Sequence, residues 1–216
     1  DGEPEFQVVQ IQDISDRRRY EGRLEFLAEH DPLTGLFNRR RFTFEVQSQV
    51  ARVRRHSSTS CVLFLDIDNF KYINDSLGHS AGDDLIEAVA MQLLQTSRET
   101  DIVARLGGDE FALLLTETPS HQAVVHAERL RDAVENGGFT VGHEDVRITI
   151  SVGVAEISPD GSMTPEEVMM DADLAMYEAK DAGRNTVRKF GPNSEHREHV
   201  AARMAWSVRI SDALQN

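Results

Sequence analysis

Apolar residues recur along this chain with two periods. Phe42, Val46, Val50 and Val53 fall on one face of a helix, as do Phe70, Ile73 and Leu77. Leu85, Ile86, Val89, Ala90, Leu93 and Leu94 form a longer stripe, and Ala123, Ala127, Leu130 and Val134 another. Val168, Ala172, Ala175 and Ala179 form the last, behind Thr164-Pro165-Glu166-Glu167, which reads as a capping box with proline at the first helical position. Between these helices lie strand-like runs. Cys61 to Leu65 is continuously apolar, the pattern of a strand covered on both faces. Val146, Ile148, Ile150 and Val152 alternate with polar residues, which predicts a strand with one buried face. Ile102-Val103-Ala104 and Phe111 to Leu115 flank two glycines and read as a hairpin. Gly78 ends one helix, Ser80-Ala81-Gly82-Asp83 reads as the cap of the next, and Thr118-Pro119 as a cap with a first-turn proline. Helices and strands alternate around an antiparallel pair, so the expected fold is α/β: a central mixed sheet of about five strands with helices on both faces, in one domain over residues 31–190.

Composition narrows the chemistry. The 216 residues carry a formal net charge of −14, which argues against generic binding to nucleic acid or to an anionic membrane, since both need surplus Lys and Arg. One cysteine, Cys61, precludes an internal disulfide, fits a reducing, cytoplasmic setting, and reads as a buried small hydrophobe within its apolar run. No apolar run approaches membrane-spanning length.

The chemistry concentrates at Arg105-Leu106-Gly107-Gly108-Asp109-Glu110-Phe111. Two adjacent acids at a hairpin tip repel unless a cation neutralises them, and the glycines let a phosphate approach the backbone. Taken alone, the string also fits an ordinary solvated acidic turn. Asp66-Ile67-Asp68 ends the apolar strand, where α/β proteins place ligands. The basic cluster Arg39-Arg40-Arg41 can reach phosphate or form a solvated face. Lys180 and Arg184 fit either the end of a helix or a phosphate contact.

Five strings fall in one order: Asp31-Pro32-Leu33-Thr34-Gly35-Leu36 with Asn38-Arg39; Asp66-Ile67-Asp68 with Phe70-Lys71 and Asn74-Asp75; Gly78-His79 with Gly82-Asp83; Gly107-Gly108-Asp109-Glu110-Phe111; and Tyr177-Glu178-Ala179-Lys180 with Gly183-Arg184-Asn185. With these the chain resembles the GGDEF, or diguanylate cyclase, domain over roughly residues 28–190. The resemblance implies a nucleotidyl-cyclase-like fold with the signature on a hairpin, and condensation of two GTP to cyclic di-GMP with release of pyrophosphate across a homodimer. It implies two Mg²⁺ or Mn²⁺ per site, held by Asp66, the Ile67 carbonyl, Asp109 and Glu110, an oxygen-only set suited to hard cations. Asp109 is then the candidate proton acceptor, with Glu110 beside it in the catalytic pair. Asn74 and Asp83 match positions that read guanine, by donation to O6 and acceptance from N1 and N2. Lys71, Lys180 and Arg184 match triphosphate contacts, with Gly107 and Gly108 leaving room for the nucleotide. Arg98 and Asp101 match an inhibitory product site, where arginine binds guanine O6 and N7. His79 also matches the pattern and reads as a packing histidine.

By the same resemblance, residues 1–15 are the tail of a preceding sensor domain and residues 16–30 a signalling helix with Tyr20, Leu24 and Leu27 on one face. Residues 191–216 are expected to be a linker helix towards a following phosphodiesterase domain of the EAL type. Two other readings stay open: a silent GTP-binding domain that regulates an attached phosphodiesterase, and a cyclase that makes a monomeric cyclic nucleotide.

Overall fold

The computed structural model describes residues 26–141, 144–160 and 163–191. The expected sensor tail, most of the signalling helix and nearly all of the linker helix lie outside the described residues. The elements in chain order are β1 (Phe37–Asn38), α1 (Arg39–His56), β2 (Ser60–Ile67), α2 (Phe70–Leu77), α3 (His79–Thr96), β3 (Ile102–Gly107), β4 (Glu110–Leu115), α4 (Ser120–Glu135), β5 (Phe139–Val141), β6 (Glu144–Val146), β7 (Ile150–Ile157), α5 (Pro165–Asp181) and β8 (Val187–Lys189). Six strands form one mixed sheet in the order β1-β3-β4-β2-β7-β8, and β5 and β6 pair separately. The centre, β3-β4-β2-β7, is antiparallel, whereas β1 and β8 join the edges in parallel.

Alternation along the strands divides the core in two. Leu63, Leu65, Phe111, Leu113, Val152 and Val154 face a layer made by α2, α3 and α4. Val62, Phe64, Ala112, Leu114, Ala155 and Ile157 face α1 and α5. The predicted stripes of α1 and α4 are buried as expected, at Phe42, Val46, Val50, Val53 and at Ala123, Ala127, Leu130, Val134. Leu77 and Leu94 are exposed fringe positions instead. Cys61 is wholly buried and donates to Thr118 O, and burial pushes its thiol up to about 12.

Several local expectations are corrected. The alternating stretch from Val146 to Val152 is not one strand: β6 ends at Val146 and β7 starts at Ile150. Nor is β7 half exposed, because α4 and α5 cover both faces and Ser151 points inward to donate to Asp68 Oδ1 at 2.7 Å. Helix α3 starts at His79 with Gly78 as its cap, so Ser80 lies inside it and His79 is exposed rather than packed. Pro119, not Thr118, caps α4. The capping box of α5 is present as read, with Thr164 and Glu167 bonded reciprocally. The strands β1, β5 and β8 are two or three residues long, too short to show a period.

Candidate active site

The hairpin between β3 and β4 turns at Gly108-Asp109, with Gly107 opposite Glu110. A register shift between Arg105 and Gly107 bulges β3, and Gly107 and Gly108 take φ of 141° and 54°, in the left-handed region that favours glycine. Arg105 fixes this turn. Its Nε and Nη2 donate to Gly108 O at 3.1 and 2.8 Å, and its Nη1 donates to both carboxylate oxygens of Asp31 at 3.0 and 3.2 Å. Burial alone would raise the Asp31 carboxyl, but hydrogen bonds from Thr34 and Arg105 outweigh it and hold the group below its ordinary range.

Strand β2 delivers the second part of the site. It pairs with β4 so that Asp66 stands directly opposite Glu110, and Ile67 N donates to Asp109 O at 3.3 Å. The acids at 66, 109 and 110, which are 43 or more positions apart in sequence between the strand and the turn, therefore meet at one end of the sheet. Asp66 is 7% exposed. Burial pushes its carboxyl up to about 6; a hydrogen bond from Lys180 opposes the rise, and the charges of Asp109 and Glu110 add to it.

Two cations answer these acids. Lys180, in the last turn of α5, places Nζ 2.7 Å from Asp66 Oδ2. Arg39, the first residue of α1, places Nη2 3.2 Å from Glu110 Oε2, and its Nε donates to Leu106 O at 3.3 Å. Arg40 is exposed and Arg41 pairs with Glu29 and Glu45, so the basic cluster splits into three roles. A further acid, Asp173, lies two turns before Lys180 on α5. Burial raises its carboxyl, Glu110 adds to the rise, and Lys180 and Arg39 oppose it. Asp173 was not singled out in the sequence. The signal available was an acid beside the alanine stripe at seven residues from Lys180, on the same helical face.

Asp68, two residues beyond Asp66, has a different job. Its carboxylate accepts from Thr149 Oγ1 at 2.6 Å, Ser151 Oγ at 2.7 Å and Asn185 N at 3.0 Å. It ties the end of β2 to β7 and to the turn after α5. In that turn Gly183, Arg184 and Asn185 all take positive φ, at 112°, 66° and 46°, and Arg184 is exposed there.

The remaining expected residues lie around this centre. Lys71 is exposed in the first turn of α2. Asn69 begins that helix at φ 58° without a side-chain cap, and Tyr72 N donates back to Asn69 O at 2.9 Å. Asn74 packs on Gly82: a Cβ there would collide with Asn74 Oδ1 and lie 2.9 Å from its Cγ. Asn74 Oδ1 is buried without a hydrogen-bond partner, and Asp83, next to Gly82, is exposed.

Arg98 and Asp101 stand apart, in the turn between α3 and β3. Arg98 N donates to Asp101 Oδ2 at 2.9 Å and Asp101 N to Arg98 O at 3.0 Å, so the spacing builds a closed turn by itself. Asp101 Oδ1 is nevertheless buried and unpartnered. The turn borders a cavity of about 290 Å³ lined also by His30, Phe37, Leu94 and Val103. His126 Nε2 is buried without a partner too; burial holds that imidazole below its ordinary range, with nearby Asp101 opposing and Arg129 and Arg98 reinforcing.

The donor set at the sheet end is oxygen-only, buried at Asp66 and electrostatically short of positive charge, which fits Mg²⁺ or Mn²⁺. As placed, no three acids among the described residues close on one point, and Asp66 and Glu110 are engaged with Lys180 and Arg39.

Residues 28–186 match the family model described as the diguanylate cyclase, GGDEF domain. The chain belongs to the GGDEF diguanylate cyclase family. Among its GGDEF relatives is a probable diguanylate cyclase, DgcC, of Escherichia coli, 37% identical over 180 residues, covering 83% of this chain and 48% of DgcC. The response regulator PleD of Caulobacter vibrioides is 40% identical over 163 residues, covering 74% of this chain and 36% of PleD. The chain thus spans about half or less of these curated relatives. The fold is also that of GGDEF structures. The coiled coil and GGDEF domain of DgcB from Caulobacter crescentus, solved with c-di-GMP, aligns with a TM-score of 0.75 at 32% identity, covering 82% of this chain and 93% of that one. The active GGEEF domain of a diguanylate cyclase from Vibrio cholerae aligns with a TM-score of 0.68 at 28% identity, covering 72% and 98%. Among the described residues no helix is long and apolar enough to cross a membrane.

Proposed function

We propose that this GGDEF domain condenses two GTP to cyclic di-GMP and pyrophosphate, each copy of a homodimer holding one GTP. The observation that carries the reading is the meeting of Asp66 and Glu110 in direct register, with Asp109 bonded through its backbone to Ile67. Asp66, the Ile67 carbonyl, Asp109 and Glu110 are the groups that would hold two divalent ions. Such ions, when bound, polarise the α-phosphate and neutralise the departing pyrophosphate.

This chain's residues supply the rest. Asp109, at the exposed turn, accepts the proton of the attacking 3′-hydroxyl. Asn74, which packs on Gly82, and Asp83, which follows Gly82 in the chain, read the guanine edge. Lys71, Lys180 and Arg184 meet the triphosphate, while Gly107 and Gly108 keep side-chain atoms out of its path. One domain offers one carboxylate set, so two copies must face each other for both 3′-hydroxyls to attack.

The test is incubation of the purified chain with GTP and Mg²⁺, with the product resolved by chromatography. Cyclic di-GMP from the wild type and none from Asp109→Ala is expected. GTP binding without product sinks the enzymatic reading in favour of a regulatory domain, and cyclic GMP in its place shows a different cyclase.

The turn at Arg98 and Asp101 is proposed as the product-inhibition site, supported by its cavity, its buried unpartnered carboxylate oxygen and the c-di-GMP bound to the related DgcB structure. Arg98→Ala is expected to raise the half-inhibitory concentration of cyclic di-GMP by about tenfold or more, the loss of one charge-assisted contact. Inhibition curves that overlay those of the wild type would remove this site.

A further inference from the structure

Arg39 sits where its helix does not want it. It is the first residue of α1, at the positive end of the helix dipole, where a cation is disfavoured. Its Nη2 instead reaches Glu110 across 71 positions of sequence, and its Nε is anchored on Leu106 O. Lys180 does the same for Asp66 from the last turn of α5. Helices α1 and α5 pack on one face of the sheet, so both cations enter the acid cluster from the same side. Without them, Asp66 and Glu110 would oppose each other as bare like charges in adjacent strands.

We propose that Arg39 and Lys180 are resident counter-ions of the carboxylate site, displaced from Glu110 and Asp66 by divalent cations and then transferred to the phosphates of the incoming nucleotide. This rests on the cyclase reading and adds Arg39 to its substrate-binding groups. Neither pair is bidentate; Arg39 and Glu110 are about half exposed and loosely held, whereas Lys180 and Asp66 are closer together and more buried, so that pair gives way only to the stronger charge of a divalent ion. A guanidinium that loses a carboxylate finds in phosphate a partner of matching geometry, and an ammonium finds a point-charge partner. Asp173, on the same helical face as Lys180, carries a carboxyl that feels the charge of both cations. The physical consequence is that metal and internal cation compete for the same oxygens. Metal and nucleotide then assist each other beyond any direct bond between them, because the nucleotide receives the cations that the metal expels.

The experiment measures Mn²⁺ affinity by electron paramagnetic resonance on the whole chain. It is done without nucleotide and with α,β-methylene GTP, which cannot release pyrophosphate. Lys180→Met is expected to bind Mn²⁺ about tenfold more tightly than wild type when nucleotide is absent, and Arg39→Met, with its exposed pair, about threefold. Both variants are expected to bind α,β-methylene GTP about tenfold more weakly. A residue that only touches phosphate leaves nucleotide-free Mn²⁺ affinity unchanged, and a merely structural ion pair lowers it; either result in both variants overturns the proposal. Should Lys180→Met fail to fold, by its circular dichroism melt, the exposed Arg39→Met decides alone. Asp66→Asn must abolish Mn²⁺ binding. If the wild type takes up no Mn²⁺ even with α,β-methylene GTP, the cyclase reading falls and this proposal with it. If wild type binds both and the variants match it, only the counter-ion exchange is lost.

Discussion

Replacing Asp66 by Asn is expected to cut cyclic di-GMP formation by about a thousandfold or more while costing the fold nothing at neutral pH. Loss of a carboxylate that holds catalytic cations removes several kcal/mol of transition-state stabilisation, and each 1.36 kcal/mol is a factor of ten. Stability goes the other way. The folded-state carboxyl lies near 6 against an ordinary 3.8, so the folded chain holds this proton more tightly than the unfolded one. Folding therefore takes up a proton between those values, and stability falls as pH rises through that window. Above about pH 6 the whole cost, on the order of 3 kcal/mol, is present. Asn carries no charge to desolvate and its Oδ1 can still accept from Lys180. In metal-free buffer at pH 7.5 the variant should melt at or above the wild-type temperature, and the difference between the two should shrink as pH falls towards 4. A variant that melts well below wild type at pH 7.5 would show that the Asp66–Lys180 pair is a net stabiliser.

Gly153→Ala is expected to be the most damaging substitution away from the site, costing about 3 kcal/mol or more. Strand β7 passes so close beneath α5 that a Cβ at Gly153 would collide with Ala172 O and Met176 N and lie 2.8 Å from Ala175 C. These are backbone atoms of a helix and cannot turn aside as a side chain can. The helix must lift, and with it Lys180, so activity falls although no substrate-binding group has changed. Urea denaturation reads the stability loss; a change under about 1 kcal/mol would mean that α5 shifts freely on the sheet.

The long elements were legible because their signals are local. The stripes of α1 and α4 survive as buried faces, the apolar run at 61–65 is covered on both sides, and the hairpin turns beside the two glycines, with Gly107 ending β3 and Gly108 in the turn. The signature and its accompanying strings also placed Asp66 and Glu110 in one site. What escaped is nonlocal. Arg105 meets Asp31 across 74 positions and Arg39 meets Glu110 across 71, and a charged residue carries no periodic mark of its distant partner. Ser151 read as an outward polar residue because alternation cannot reveal that Asp68 waits on the inner side. Ser80 read as a cap because it has the right side chain, yet Gly78, at φ 88°, turns the chain first and serves both α2 and α3.

The edges of the sheet bear on how two copies can join. Among the described residues its outermost strands, β1 and β8, are only two and three residues long, and Phe37 of β1 is already bridged by His30. So short a border gives a neighbour almost no ladder to extend, which guards against runaway strand addition between molecules. Pairing of two such domains is therefore expected to use side chains on helices and loops, which can separate and re-form, rather than an extension of this sheet.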